Sequence, residues 1–220
     1  MLTYAVGDVH GCLDLLDDLL VRIGTDAAGR SHRLVFIGDY IDRGPDSAGV
    51  VRTLRRLQAE RADGTVVCLK GNHEDLLLRA LAQPDMLGNW LYNGGDATLA
   101  SYGAQDVSGM PADDVAWIEA LPVVFEDERR CFVHAGLRPG RDRAAQSDRD
   151  RLWIRDDFLE ADHDFGKYVV HGHTPRPDGR PEIRRFRVNI DTAAVYGGRL
   201  TAALFRDGQD RPEGFFQSPR

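Results

Sequence analysis

Six residues at the ends of apolar runs could bind a metal: Asp8, His10, Asp39, Asn72, His134 and His173. All offer oxygen or imidazole nitrogen and none a thiolate, a set that suits Mn, Fe or Zn better than a soft metal. In Asp8-Val9-His10 the two side chains share one side of an extended chain, because alternate residues share a face. Asp39 follows Leu34-Val35-Phe36-Ile37-Gly38 directly and reads as a carboxylate shared by two ions. Such a carboxylate can hold two divalent ions about 3.5–4 Å apart, a pair that acidifies a bridging water and clamps a phosphoryl group. Arg43 and Arg155 are the residue type that holds phosphate oxygens in bidentate fashion, with Arg138 as the alternative to Arg155. His73 lies beside Asn72 but points elsewhere. It reads as the proton donor to a leaving oxygen, with Asp42 fixing its tautomer.

Positioning these side chains needs strands that end where they begin. Leu2 to Val6 reads as a strand before Gly7-Asp8-Val9-His10-Gly11. Leu13, Leu16, Leu19, Leu20 and Ile23 then recur at helical spacing, with a stop expected near Gly24. Leu34 to Ile37 is the central strand, and Pro45 and Asp46 open a second helix. Thr65 to Leu69 is a third strand, with a leucine-rich helix starting near Asp75. Three strand–loop–helix units in succession imply parallel strands with right-handed crossovers, and ligands bind beyond the carboxyl ends of such strands. From about 83 to 122 the texture changes to short amphipathic pieces, read as a helical cap on one rim, with Trp90 and Trp117 in its core. Val123–Glu126, Arg130–Val133, Tyr168–Val170, Phe186–Ile190 and Leu200–Phe205 read as further strands. Arg138–Arg151 reads as an exposed loop and the stretch after Asp207 as a loose polar tail.

Composition limits the function classes. The 220 residues fit one large domain with a sizeable core, and the net charge of −7 argues against a general nucleic-acid binder. No apolar run reaches the roughly 18 residues of a membrane span, and the first residues read as a strand rather than a leader. Cys12, Cys68 and Cys131 are odd in number, lack CxxC spacing and read as reduced and cytoplasmic.

The motifs Gly7-Asp8-Val9-His10-Gly11, Gly38-Asp39-Tyr40-Ile41-Asp42-Arg43-Gly44, Gly71-Asn72-His73-Glu74, His134-Ala135-Gly136 and Gly172-His173 occur in that order. Together they resemble the metallophosphoesterases of the phosphoprotein-phosphatase type, above all the small bacterial and phage serine/threonine protein phosphatases. The resemblance implies a calcineurin-like four-layer α/β/β/α sandwich with mixed sheets, spanning 1–220 as one domain. It implies that Asp8, His10 and Asp39 hold one ion and that Asp39, Asn72, His134 and His173 hold the other. It makes Asp42 and His73 the acid pair, Arg43 and Arg155 the phosphate arginines, and Tyr196 a rim tyrosine.

The expected activity is hydrolysis of phosphoserine and phosphothreonine in proteins by direct attack of a dimetal-bridging hydroxide. Mn²⁺ is expected as the metal, with Fe or Zn as alternatives, and the chain is expected to be a monomer. The sequence also resembles the symmetrical diadenosine tetraphosphate hydrolases, so dinucleoside polyphosphates are the alternative substrates. Those enzymes typically carry Gln where this chain has His10, which is weighed here in favour of the protein-phosphatase branch.

Overall fold

The structure is a computed structural model and describes residues 1–61 and 63–219. Leu2–Val6 forms β1, buried throughout, and α1 spans Leu13–Ala27. Leu16, Leu19, Ile23 and Ala27 form its buried stripe, so α1 continues through Gly24 and ends at the left-handed Ala28. One glycine costs only about 1 kcal/mol inside a helix, less than the packing of the last turn returns.

β2 is His32–Phe36, and α2 is Ser47–Glu60, where Asp46 caps the helix by accepting from the Gly49 amide at 2.7 Å. β3 is Val66–Cys68, and α3 is Asn72–Ala82. α3 thus starts three residues before the expected Asp75. The Glu74 carboxylate accepts from the Gly71 amide at 2.8 Å and closes the first turn, which places Asn72 and His73 on helix rather than loop.

α4 (Leu87–Trp90), a π-type turn at Leu91–Gly95, α5 (Asp96–Tyr102) and α6 (Ala112–Ala120) follow. β4 is Val124–Glu126 and β5 Arg130–Val133. The expected loop at Arg138–Arg151 is partly helical, because α7 begins at Asp148 and runs to Trp153, with Ser147 accepting from the Asp150 amide at 3.1 Å. α8 is Asp156–Leu159, β6 Tyr168–His171, β7 Glu182–Ile183, β8 Arg187–Asn189, β9 Thr201–Arg206 and β10 Gly214–Gln217. β10 replaces the expected loose tail. Phe215 and Phe216 alternate between two faces and fix it against β9.

Two five-stranded sheets result, ordered β10-β9-β1-β2-β3 and β4-β5-β6-β8-β7. Each is mixed. β1, β2 and β3 are parallel in one, β5, β6 and β8 in the other, with antiparallel strands at the edges. Alternation along each strand builds the layers. Tyr4, Val6, Leu34 and Phe36 pack toward α1, α2 and α3. Ala5, Val35 and Ile37 turn the other way, onto Phe132, Val170 and Val188 of the second sheet. Cys131, Val133 and Val169 face outward onto Ile154 and Phe158. This is the layered α/β sandwich with mixed sheets expected from the motifs. The donor-bearing loops leave the same ends of the parallel strands in both sheets, so they converge on one rim. Among the described residues no helix is long and apolar enough to cross a membrane.

Candidate metal centre and active site

The loops after β1, β2, β5 and β6 and the first turn of α3 bring the six donors together, all buried. His10 Nδ1 donates to the Ile41 carbonyl at 2.8 Å, which leaves Nε2 as the lone-pair nitrogen, 3.3 Å from Asp39 Oδ2. His134 Nδ1 donates to the Ile37 carbonyl at 3.0 Å, and its Nε2 lies 3.4 Å from Asp39 Oδ1 and 2.8 Å from Asn72 Oδ1. His173 Nδ1 is 2.8 Å from the same Asn72 oxygen. The contacts therefore form a chain, His10–Asp39–His134–Asn72–His173, in which the two oxygens of Asp39 face different imidazoles. Around His134 lone pairs meet with no proton to share, which is the mark of a cation site. Two overlapping groups could each hold an ion, Asp39–His134–His173 and His10–Asp39–His73.

Asp8 belongs to the same rim. Its Oδ2 accepts from the His173 amide at 3.0 Å, while Oδ1 is buried without a partner among the described residues. A side chain at Gly172 would strike that Oδ1, so the loop after β6 can pass Asp8 only as glycine. The Asp8 carboxyl is pushed well above its ordinary range by burial and by the neighbouring Asp191 and Asp39 carboxylates. Burial would raise Asp39 as well, but His134, His73 and His10 outweigh it and hold Asp39 well below its usual value. His134 and His173 are lowered, first by burial, and so stay neutral, the form in which imidazole binds metal. Crowded carboxylates, neutral imidazoles and an orphaned oxygen fit two divalent ions.

His73 and Asp42 stand beside this centre. His73 Nδ1 donates to Asp42 Oδ2 at 2.7 Å, and the His73 and His10 rings meet edge to face at 4.6 Å. Asp42 is fully buried and held from the cap, where Thr98 donates its hydroxyl to Oδ1 at 2.7 Å and Trp90 its indole N–H to Oδ2 at 3.0 Å. Trp90 is thus cap core, as expected, and also a support for Asp42. The Arg43 amide donates to the Gly94 carbonyl at 3.0 Å, and its guanidinium lies 2.8 Å from His10 Nε2 and 5.6 Å from the centre of the Tyr196 ring. Tyr196 is 62% exposed.

Of the two candidate second arginines, Arg138 is engaged, with Asp150 and Asp157 accepting from its guanidinium at 2.7 Å each. Arg155 is exposed beside His173, with only the Thr174 hydroxyl, at 3.3 Å, to hold it. Among the described residues, five of the seven non-glycine residues with positive φ are His10, Asp39, Asp42, Arg43 and His173, all of them at this site.

Sequence reasoning passed over two carboxylates. Glu74, seen only as part of a motif, accepts from the amides of Asp39 at 2.9 Å, Tyr40 at 2.8 Å and Gly71 at 2.8 Å, and so holds the turn that aims Asp39. Burial, with Asp39 nearby, lifts its carboxyl to about 7. Asp191 follows β8 just as Asp39 follows β2, so the rule that found the other donors also selects it. It is buried, accepts from the Ala193 amide at 3.0 Å and is raised by burial to about 6.

The family described as calcineurin-like phosphoesterase matches residues 1–198. The asymmetrical bis(5'-nucleosyl)-tetraphosphatase of Halalkalibacterium halodurans is 30% identical over an alignment 228 positions long, gaps included, that covers 91% of this chain and 88% of that one. The symmetrical bis(5'-nucleosyl)-tetraphosphatase of Dechloromonas aromatica is 36% identical over 141 residues, 63% of this chain and 45% of that one. A crystal structure described as a candidate diadenosine tetraphosphatase superposes with a TM-score of 0.72 at 25% identity, covering 99% of this chain and 93% of that one. A Saccharomyces cerevisiae serine/threonine protein phosphatase shares the fold, with a TM-score of 0.67 at 16% identity, covering 100% of this chain and 80% of that one.

These relatives overturn the expected protein-phosphatase activity and its phosphoprotein partners. The inference from His10 failed for a physical reason. Its Nε2 is engaged by Asp39 at 3.3 Å and by the Arg43 guanidinium at 2.8 Å, so the residue type there is set by its neighbours in the donor chain and does not by itself select a substrate.

Proposed function

The chain belongs to the calcineurin-like phosphoesterases, a family of hydrolases that use a dimetal centre, and from that footing we propose that it hydrolyses dinucleoside polyphosphates. The observation that carries this reading is the resemblance to the Halalkalibacterium halodurans enzyme across nearly the whole of both chains. The relative of symmetrical type matches over less than half its own length. The coverage therefore favours asymmetrical cleavage, in which a dinucleoside tetraphosphate gives a nucleoside triphosphate and a nucleoside monophosphate.

In this reading Asp8, His10 and Asp39 hold one divalent ion, and Asp39, Asn72, His134 and His173 hold the second. Mn is the first metal to test, and the donor set also suits Fe or Zn. When bound, such a pair acidifies water and neutralises phosphate charge. The rest of the chemistry falls to the chain itself. Arg43 and Arg155 bind phosphate oxygens from the two ends of the donor chain. His73, with Nδ1 committed to Asp42, presents Nε2 to the oxygen that leaves with the nucleotide and holds a proton there. The Glu74 cradle fixes Asp39 before substrate arrives, so little reorganisation is left to the reaction.

The test is a side-by-side assay of metal-stripped protein restored with Mn, on diadenosine tetraphosphate and on a phosphothreonine peptide. Faster cleavage of the dinucleotide, with ATP and AMP as products, supports the reading. Two ADP molecules would move it to the symmetrical type. Faster release of phosphate from the peptide would overturn it.

A further inference from the structure

A groove of about 770 Å³ opens beside the His173 end of the donor chain. Trp153 forms its near wall, with its ring 6.3 Å from that of His173, and Arg155 reaches it from the Thr174 side. We propose that this groove holds the distal nucleotide of a dinucleoside polyphosphate, the half beyond the bond that breaks. The proposal rests on the dinucleoside reading above and deepens it by assigning the second half of the substrate to a surface.

Three observations carry it. The first is position. The donor chain has two ends, and each is furnished with an arginine and an aromatic ring. At the His10 end Arg43 lies against Tyr196, and at the His173 end Arg155 lies near Trp153. A phosphomonoester needs only the middle of that chain, whereas a linear polyphosphate with a nucleoside at each end can use both.

The second is chemistry. The groove joins an apolar and aromatic wall, Leu76, Met86 and Trp153, to the guanidinium groups of Arg149 and Arg155. A base can lie against the first and phosphates against the second. Trp153 is fixed in place, since its indole N–H donates to Asp75 at 3.2 Å. The volume suits a nucleotide, because small-molecule sites run to roughly 300–1,000 Å³.

The third is uncommitted charge. Asp150 and Asp157 also line the groove, but both are paired with Arg138. Asp156 lines it as well and lowers the net positive charge. Among the described residues Arg149 and Arg155 have no carboxylate partner. Arg149 is exposed on α7 and, among the described residues, makes no side-chain hydrogen bond. Among the described residues it pairs with none of the six donors, so it can serve as a reporter for the groove.

The experiment compares wild type with Arg149→Ala and Arg149→Glu, restored with Mn, on diadenosine tetraphosphate and on para-nitrophenyl phosphate, which fills only the metal site. The expected result is a KM for the dinucleotide raised about fivefold in the first variant and further in the second, the size of one exposed charge-assisted contact. Arg149→Lys should recover part of the loss, and kcat/KM on para-nitrophenyl phosphate should stay unchanged in all three. Unchanged KM for the dinucleotide, or equal losses on both substrates, would overturn the groove assignment while leaving the dinucleoside reading intact. A wild type that does not prefer the dinucleotide to para-nitrophenyl phosphate would overturn that reading first, and the groove assignment with it.

Discussion

Trp90 gives its indole N–H to the carboxylate of Asp42 at 3.0 Å, and so a side chain from the cap holds the partner of the candidate acid His73. The cap therefore shapes the chemistry as well as the rim. Trp90→Phe keeps most of the buried ring and removes the donor. It should lower kcat on diadenosine tetraphosphate about tenfold, with little change in KM and both metals retained. Steady-state kinetics and elemental analysis of the same preparation check this. A change confined to KM would show that Trp90 serves substrate binding instead.

His73→Asn should lower kcat and leave the metal content untouched, since the side chain is committed to Asp42. The size of the loss depends on the leaving group. A nucleotide phosphate leaves more readily than an alkoxide, so the cost should sit near the low end for general acids, about 10²-fold. On an alkyl phosphate the loss should be larger. Equal losses on the two substrates would remove His73 from the proton transfer, and loss of metal would make it a ligand.

Asp39→Asn should weaken both ions together, because each carboxylate oxygen faces a different imidazole, Oδ2 toward His10 and Oδ1 toward His134. Elemental analysis after dialysis should fall from about two ions per chain toward none. Chelation of the wild type should abolish activity, and added Mn should restore it. One ion kept at full occupancy in the variant would mean that the carboxylate is not shared.

Stability at low pH should depend on Glu182 of β7, which is not one of the donors. Burial would raise its carboxyl, but hydrogen bonds from Arg184 and Arg187 outweigh this and hold it below its ordinary value of 4.5. A carboxyl depressed on folding stabilises the protein above its unfolded pKa, and the benefit disappears as the pH falls through the folded value. Glu182→Gln should therefore lower Tm at pH 7, and the gap from wild type should narrow below pH 4.5. Thermal melts across that range check it. A gap that does not change with pH would mean that packing, not charge, is what Glu182 supplies.

The fold and the donors were legible because both follow from local pattern. Apolar runs such as Leu34–Ile37 mark buried strands, and Asp8, Asp39, His134 and His173 stand just beyond such runs. What stayed hidden depends on contacts far apart in the chain. Glu74 reaches back 35 residues to the Asp39 amide, and Trp90 reaches 48 to Asp42, with no periodicity to announce either. β10 was missed because two phenylalanines in a polar tail are too few to show alternation until β9 lies beside them. Substrate was misread because His10 packs among the candidate metal donors, while the surfaces that would meet a nucleotide, Tyr196 and the Trp153 groove, lie in loops and short helices without a motif.

His10, Asp39, Asp42, Arg43 and His173 all sit in left-handed backbone, where a side chain costs roughly 1–2 kcal/mol that glycine would not. Asp and His tolerate that region better than most residues, yet together the strain is still a sizeable fraction of a domain's net stability, about 5–15 kcal/mol. The donor rim is thus a spring held under load by the two sheets. Directed evolution toward heat resistance alone should relax it first, drifting these positions toward glycine and yielding a sturdier, inert protein.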